Sequence, residues 1–213
     1  VWFKNLPPNY SYKPLDNSIT FYEQETSMED YRSKRLPYKI EKGSIDNYST
    51  LMKKLYTTEE LDKIEWSIGS VFTGDSKEDD KILVLYGDPG TGKSTVLDLL
   101  KDLFYPYWVP FTAAGLARTS DQFATSMFSE NPLVAIQDDG NLSKIDSPTI
   151  NEIISHKEII VNEKGVRRYS IKPLAKLFLA TNETVDIHDT KLGIARRLLD
   201  VYPTGEKFPI STY

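Results

Sequence analysis

The chain has 213 residues, a net charge of −5 and no cysteine, and 39% of its residues are hydrophobic. This length suits one large domain, or a domain with a small appendage. The lack of cysteine excludes disulfides, thiolate metal sites and a cysteine nucleophile. Because the chain is acidic overall, any nucleic-acid contact has to come from a local basic patch. No apolar run approaches the ~18 residues of a membrane span, so we expect no membrane partner.

The N-terminal part carries no catalytic pattern. Residues 1–44 contain several prolines, and we expect a lead-in or the remnant of an upstream subdomain. Apolar residues recur at helical spacing over 46–56 and 58–72, which predicts two helices. We therefore expect residues 45–80 to form a small helical lead-in and residues 81–213 to form the main core. We also expect the chain to be a piece of a longer protein that is truncated at its C-terminal side.

Residues 82–95 carry the clearest chemical pattern. An apolar strand precedes a loop that fits G-x-x-x-x-G-K-[ST], and helical spacing follows over 94–104. The loop residues are Gly87, Asp88, Pro89, Gly90, Thr91, Gly92, Lys93, Ser94 and Thr95. Glycines let such a loop turn its N–H groups towards phosphate oxygens, and the helix N-terminus adds partial positive charge. A chance glycine-rich turn is the alternative, and both flanks disfavour it.

This loop predicts which groups contact a nucleoside triphosphate. Lys93 is expected to reach the β- and γ-phosphates, and the Ser94 hydroxyl is expected to bind Mg²⁺. Pro89 has no N–H group, so it shapes the loop without donating a hydrogen bond.

Polar side chains end two further apolar strands. The strand at 133–139 ends in Asp138 and Asp139. Asp138 is predicted to hold Mg²⁺ through water, and Asp139 to orient or deprotonate an attacking water. A helix cap or a turn is the alternative for this pair. The strand at 177–183 contains Asn182, whose neutral amide can bond a γ-phosphate or the water without adding negative charge.

Other elements are predicted from local pattern. We expect a strand over 107–111 and helices over 119–129 and 148–154, with Phe123 and Phe128 facing inward. Residues 156–171 predict a β-hairpin whose turn lies at 162–165.

Two groups of basic residues stand out in this acidic chain. On the hairpin, Lys164, Arg167 and Arg168 give a positive bias suited to a phosphodiester backbone, although a solvated hairpin with ordinary charges is the alternative. The adjacent Arg196 and Arg197 are either plain surface charge, or one of them reaches the γ-phosphate of a neighbouring subunit. The two histidines have no ligand spacing, so we assign no metal role to them.

Taken in order, these motifs resemble the superfamily 3 helicases, and most closely the phage and poxvirus type of primase-helicase. The resemblance rests on Gly-Asp-Pro-Gly-Thr-Gly-Lys-Ser, the Asp138-Asp139 pair, the Lys164-Gly165 hairpin, Thr181-Asn182 and Ala-Arg196-Arg197-Leu. It covers about residues 46–202. It implies an α/β P-loop NTPase fold with an AAA+-like three-layer α/β/α core and a small helical N-terminal part. It also implies ATP and Mg²⁺ as cofactors, and a homo-oligomeric ring, usually a hexamer, that moves along single-stranded DNA.

The resemblance also implies roles for single residues. Lys164 would be the leading DNA contact with Arg167 and Arg168 as supports. Asn182 matches the sensor position, and Arg196 matches the trans-acting arginine better than Arg197. Asp139 departs from the pattern, because many related ATPases have Glu there. A primase or polymerase domain of the same polypeptide, a phage or viral origin, and a location in the host cytoplasm or at the site of viral replication are further implications.

The expected function is therefore an ATP-driven replicative DNA helicase motor domain. Two alternatives stay open. The first is a P-loop ATPase that loads or remodels a helicase without unwinding DNA itself. The second is a nucleotide-dependent DNA-binding assembly module that does not hydrolyse ATP.

Overall fold

The structure is a computed structural model. It describes residues 34, 36–38, 42–73, 80–118, 123–140, 145, 147–182 and 192–206. The predicted lead-in over residues 1–44 lies mostly outside the described residues.

Helices and strands alternate along most of the described chain. The helices are α1 (Asp46–Leu55), α2 (Thr58–Thr73), α3 (Lys93–Leu103), α4 (Ala113–Ala117), α5 (Pro148–Ile154) and α6 (Leu192–Ala195), with a 3₁₀ helix at Ser126–Glu130. The strands are β1 (Ile82–Tyr86), β2 (Trp108–Pro110), β3 (Val134–Gln137), β4 (Ile159–Val161), β5 (Tyr169–Ile171), β6 (Lys176–Thr181) and β7 (Leu198–Val201). Within the described ranges, no helix is both long and apolar enough to cross a bilayer.

Five strands form a parallel sheet in the order β2-β3-β6-β1-β7. Every residue of β1, β3 and β6 is buried, because helices cover both faces of the sheet. On one face Leu83 and Leu85 pack with α1, α2 and α3, and on the other Ile82 and Val84 pack with α4 and α5. The predicted P-loop α/β fold, with its three-layer α/β/α core, is confirmed.

The two N-terminal helices pack directly on the sheet. Met52 and Leu55 of α1 and Ile64 of α2 belong to the same hydrophobic cluster as Leu83 and Leu85 of β1. These helices therefore share their core with the sheet. The predicted division of the chain at residues 80 and 81 stays a prediction.

The predicted helix over 119–129 differs from the structure. Residues 119–122 lie outside the described residues, and Ser126–Glu130 forms a 3₁₀ helix after a turn. The hydroxyls of Ser126 and Ser129 donate to carbonyls three residues earlier, which competes with α-helical bonding. Phe128 is buried as expected, whereas Phe123 is 49% exposed.

Helix α1 packs closely against the loop after β1, so we expect alanine substitutions at Gly92 and Gly69 to change the free energy of unfolding in opposite directions. A Cβ on Gly92 would lie 2.7 Å from Cδ1 of the buried Leu55, and its φ of +90° strains any other residue. We expect Gly92→Ala to lower the free energy of unfolding by about 2–4 kcal/mol, measured by urea denaturation. As a control, a Cβ on Gly69 in α2 meets nothing within 4 Å. Gly69→Ala is expected to raise stability by about 0.5–1 kcal/mol, and equal losses in both variants would contradict this packing.

Candidate functional site

The loop between β1 and α3 surrounds a cavity at the carboxyl edge of the sheet. Three of its glycines have positive φ, +136° at Gly87, +83° at Gly90 and +90° at Gly92, so the chain curls tightly there. The cavity has a volume of about 310 Å³. It is lined by Pro89, Gly90, Gly92, Lys93, Ser94, Thr95, Asp138, Asp139 and Asn182.

The ammonium group of Lys93 is held by three oxygens inside this loop. It donates to the carbonyl oxygen of Gly87 at 2.6 Å, to that of Asp88 at 2.9 Å and to Oδ1 of Asn182 at 2.9 Å. The residue is buried, with 7% of its surface exposed. Desolvation lowers the pKa of Lys93, while the carboxylates of Asp138, Asp139 and Asp88 act to raise it.

The predicted carboxylate pair lies opposite the loop. Strand β3 ends at Gln137, and Asp138 and Asp139 follow it with exposed side chains. The Ser94 hydroxyl donates to Oδ2 of Asp138 at 3.4 Å, a long hydrogen bond. Hard oxygens of this kind fit Mg²⁺, which proteins usually hold with one or two carboxylates plus substrate phosphates. In the described part of the chain no group of three or more His, Cys, Asp or Glu could hold a metal alone.

Asn182 connects the lysine to the carboxylate pair. Its Nδ2 donates to Oδ1 of Asp139 at 3.0 Å, and its Oδ1 accepts from Lys93. This is possible because β6 lies between β1 and β3, so that all three strands end at the same edge. The structure thus brings together Lys93, Ser94, Asp138, Asp139 and Asn182, while their chemical roles stay predictions.

Two positioning residues were missed from the sequence. Gly140 packs against β6, where an added Cβ would lie 2.8 Å from Leu179, and its N–H donates to Ala180. This contact accompanies a φ of +52° at Asp139. The Asp-Gly dipeptide at 139–140 is a turn signal from which the role of Gly140 could have been predicted. The second, Gln137, is buried and accepts a hydrogen bond from the N–H of Ala113 at 2.7 Å, which no sequence signal predicted.

The two arginines lie at the opposite edge of the sheet. The carbonyl of Arg197 accepts from the N–H of Ile82, the first residue of β1, and its guanidinium donates to Ser155 Oγ at 3.3 Å. Arg196 is exposed. Since five residues of β1 span ~17 Å, neither arginine reaches the loop of its own chain.

The predicted hairpin forms between β4 and β5, which pair antiparallel with Val161 opposite Tyr169. Its connecting loop is therefore 162–168, longer than the predicted turn at 162–165. The basic residues on this loop are exposed: Lys164, Arg167 and Arg168. The Tyr169 hydroxyl donates to Glu163 across the base of the loop.

The segment after β7 packs against the loop between β1 and α3. A Cβ on Gly87 would lie 2.7 Å from Cγ of Pro203. Next to it, the rings of Tyr86 and Tyr202 stack with centroids 4.9 Å apart. The Tyr86 hydroxyl donates to Oδ1 of Asp200 at 3.0 Å. No sequence pattern indicated these contacts.

Comparison with protein families identifies the chain's relatives. The model of DUF5906, a family of unknown function, matches residues 85–197, which is more than half of the chain. The chain belongs to the DUF5906 family. No curated protein matches it.

Solved structures with the same fold are distant in sequence. The apo structure of the NrS-1 C-terminal region is 19% identical, with a TM-score of 0.55, and the match covers 74% of this chain and 38% of that one. The A form of the same region is 22% identical with a TM-score of 0.50, and that match covers 65% of this chain and 32% of the other. JCV helicase is 10% identical at a TM-score of 0.48, too low to support an inference, covering 69% and 41%. The DUF5906 chain spans about a third of the NrS-1 region, and the likeness describes the fold.

The DUF5906 match begins inside β1 and ends at Arg197, so it includes every predicted site residue. The supporting elements α1, α2 and the segment after β7 lie outside it. The family match thus covers the polar groups of the cavity and not the elements that hold the loop.

The contacts of Tyr86 predict alkaline instability. Burial, and then the Asp200 carboxylate, raise the pKa of Tyr86 above its ordinary value of 10.0. The folded chain therefore keeps a proton that the unfolded chain releases, so stability present below pH 10 falls as the pH rises above it. We expect Tyr86→Phe to make this fall shallower, measured by chemical denaturation across alkaline pH.

The control for this prediction is Tyr105→Phe, because Tyr105 is 61% exposed. It should leave the alkaline fall unchanged. A wild-type-like fall in Tyr86→Phe would show that this tyrosine does not contribute to it.

Proposed function

We propose that this chain is the ATP-hydrolysing motor domain of a DNA helicase of the superfamily 3 type. The observation that carries the proposal is the hydrogen-bonded network in which Asn182 joins Lys93 to Asp139 beside a glycine loop. A lysine, a carboxylate and a neutral amide at one cavity are among the groups that act on a γ-phosphate during its hydrolysis.

Each residue of the network has a distinct part in hydrolysis. Lys93 neutralises charge on the β- and γ-phosphates, and Asp139 positions the attacking water for in-line displacement. Asn182 contacts the γ-phosphate or the water without adding negative charge. Ser94 and Asp138 are the residues that would hold Mg²⁺, which supplies further neutralisation of the phosphate oxygens when bound.

The charge balance of the cavity favours a site completed by a second subunit. Among the described residues that line it, Lys93 carries the only positive side chain, opposite Asp138 and Asp139. A triphosphate adds several more negative charges. Arg196 is exposed at the starting edge of β1, and this strand spans ~17 Å before its own loop, so Arg196 suits a neighbour's γ-phosphate. Arg197 is the second candidate, although its guanidinium already bonds Ser155.

The hairpin provides the surface for single-stranded DNA. Lys164, Arg167 and Arg168 are exposed on one loop, and the chain is acidic overall. Basic side chains grouped in this way neutralise phosphates, with Lys164 as the leading contact. The bond from Tyr169 to Glu163 stiffens the loop that carries them.

The wider assembly follows from the same proposal. A head-to-tail contact in which Arg196 of one copy meets the loop of the next generates a ring when the rotation between copies closes, and we propose a closed hexamer. A primase or polymerase domain of the same polypeptide, and a phage or viral origin, complete the proposal.

The proposal predicts ATP hydrolysis stimulated by single-stranded DNA in the full-length protein. Lys93→Ala should lose turnover at least ~10²-fold with and without DNA, because the main positive charge on the phosphates is gone. Asp139→Asn should lose turnover to a similar extent while still binding ATP. Lys164→Ala should keep DNA-independent turnover and lose the stimulation. Steady-state phosphate release gives the turnover of the wild type and the three variants.

Two results would contradict the helicase proposal. The first is wild-type turnover in Lys93→Ala. The second is ATP turnover by the wild type that leaves a forked duplex intact in a strand-displacement assay, as a loader or remodeller would.

The trans role of Arg196 has its own test. Arg196→Ala should lower kcat by ~10³-fold with little change in ATP affinity, because the arginine acts on the transition state. Mixing this variant with Lys93→Ala in equal amounts should restore activity, since about a quarter of head-to-tail interfaces then carry both intact residues. Arg118→Ala, another exposed arginine, is the control. Failure of the mixture to regain activity would contradict a site shared between subunits.

A further inference from the structure

The ammonium group of Lys93 has no free donor. A lysine ammonium carries three N–H groups and no acceptor. Lys93 donates to three protein oxygens, on Gly87, Asp88 and Asn182, at 2.6–2.9 Å. A phosphate oxygen therefore gains a hydrogen bond from Lys93 only after one of these three oxygens has been released.

The three oxygens are not equally easy to release. The carbonyls of Gly87 and Asp88 belong to the loop backbone. Pro203 packs beside the Cα of Gly87, and the Thr91 hydroxyl also donates to the Asp88 carbonyl at 2.8 Å. Asn182 is an exposed side chain at the end of β6 that moves by rotation about its own bonds. Its bond to Lys93 is the one that a phosphate can displace without rebuilding the loop.

We propose that Asn182 holds the donor of Lys93 that a phosphate needs, and that a nucleotide phosphate has to displace it from Lys93 in order to bind. This inference rests on the proposed function and concerns regulation of the same site. The amide makes two bonds of opposite polarity, accepting from Lys93 and donating to Asp139. We call these two bonds the Asn182 clamp.

The Asn182 clamp couples nucleotide binding to the hydrogen bond that Asp139 can accept from a water. While the clamp is closed, Oδ1 of Asp139 accepts from the amide at 3.0 Å. When phosphate takes the place of Asn182 on Lys93, the amide turns, and Oδ1 of Asp139 exchanges this bond for one from a water. The clamp thus engages one of the two carboxylate oxygens until a nucleotide binds.

The clamp requires an amide at position 182. Alanine removes both bonds and leaves Lys93 with one N–H group that can donate directly to a phosphate. Aspartate offers only acceptors, so it would bind the Lys93 ammonium as an ion pair and repel Asp139. The two substitutions therefore act on nucleotide affinity in opposite directions.

Equilibrium binding of ADP to the full-length protein without DNA tests the clamp. ADP has no γ-phosphate for Asn182 to contact, so a lost bound-state contact cannot hide the effect. We expect Asn182→Ala to bind ADP ~3–10-fold more tightly than wild type, although its ATP turnover falls at least ~10-fold. We expect Asn182→Asp to bind ADP at least ~10-fold more weakly. Calorimetric titration gives each dissociation constant.

Asn47→Asp tests whether the added net charge by itself, away from the cavity, changes ADP affinity. Asn47 is exposed on α1, and Asn47→Asp adds the same negative charge there. It should leave ADP affinity unchanged. Thermal unfolding of each variant checks that the fold is intact.

The outcomes distinguish this inference from the proposed function. If wild type binds and hydrolyses ATP but Asn182→Ala binds ADP equally or more weakly, the clamp is wrong and the proposed function stands. If wild type binds neither ADP nor ATP, both are wrong. Tighter binding by Asn182→Ala with weaker binding by Asn182→Asp supports the clamp.

Discussion

The site depends on three parallel strands, β1, β6 and β3, that end together at one edge of the sheet. Backbone pairing of β6 between β1 and β3 sets the spacing of these ends at about 4.8 Å per strand. Lys93, Asp139 and Asn182 are far apart in the sequence, yet their polar atoms lie within hydrogen-bonding distance. The sheet holds this arrangement in place, because every residue of the three strands is buried in a closely packed interior.

The glycine loop is supported by parts of the chain that carry no chemistry. Leu55 at the end of α1 fills the space under Gly92, and Pro203 after β7 fills the space beside Gly87. These two supports are themselves joined, because the N–H of Thr204 donates to the carbonyl of Leu55 at 2.8 Å. A curled loop with several positive φ angles needs such backing to keep one conformation. Helix α1 and the segment after β7 thus support the loop together.

The basic side chains of Arg196 and of the hairpin loop do not line the cavity of their own chain. Arg196 precedes β7 at the starting edge of β1, and the loop with Lys164 connects the two strands of a second sheet. This separation is what connects the proposed function to an assembly of several copies. It also explains why the cavity alone has little positive charge to offer a triphosphate.

The sequence by itself determined β1, the glycine loop and α3, together with the polar ends of β3 and β6. These features are local, because short apolar runs, helical spacing and a few adjacent residues specify them. Local pattern failed at Ser126–Glu130, where serine hydroxyls bond the backbone and a 3₁₀ helix forms. Tertiary structure alone decided that Asn182 joins Lys93 to Asp139, that Gly140 packs on Leu179, and that Tyr86 bonds Asp200. Those contacts join residues about 40 to 110 positions apart, and only the order of strands in the sheet brings them together.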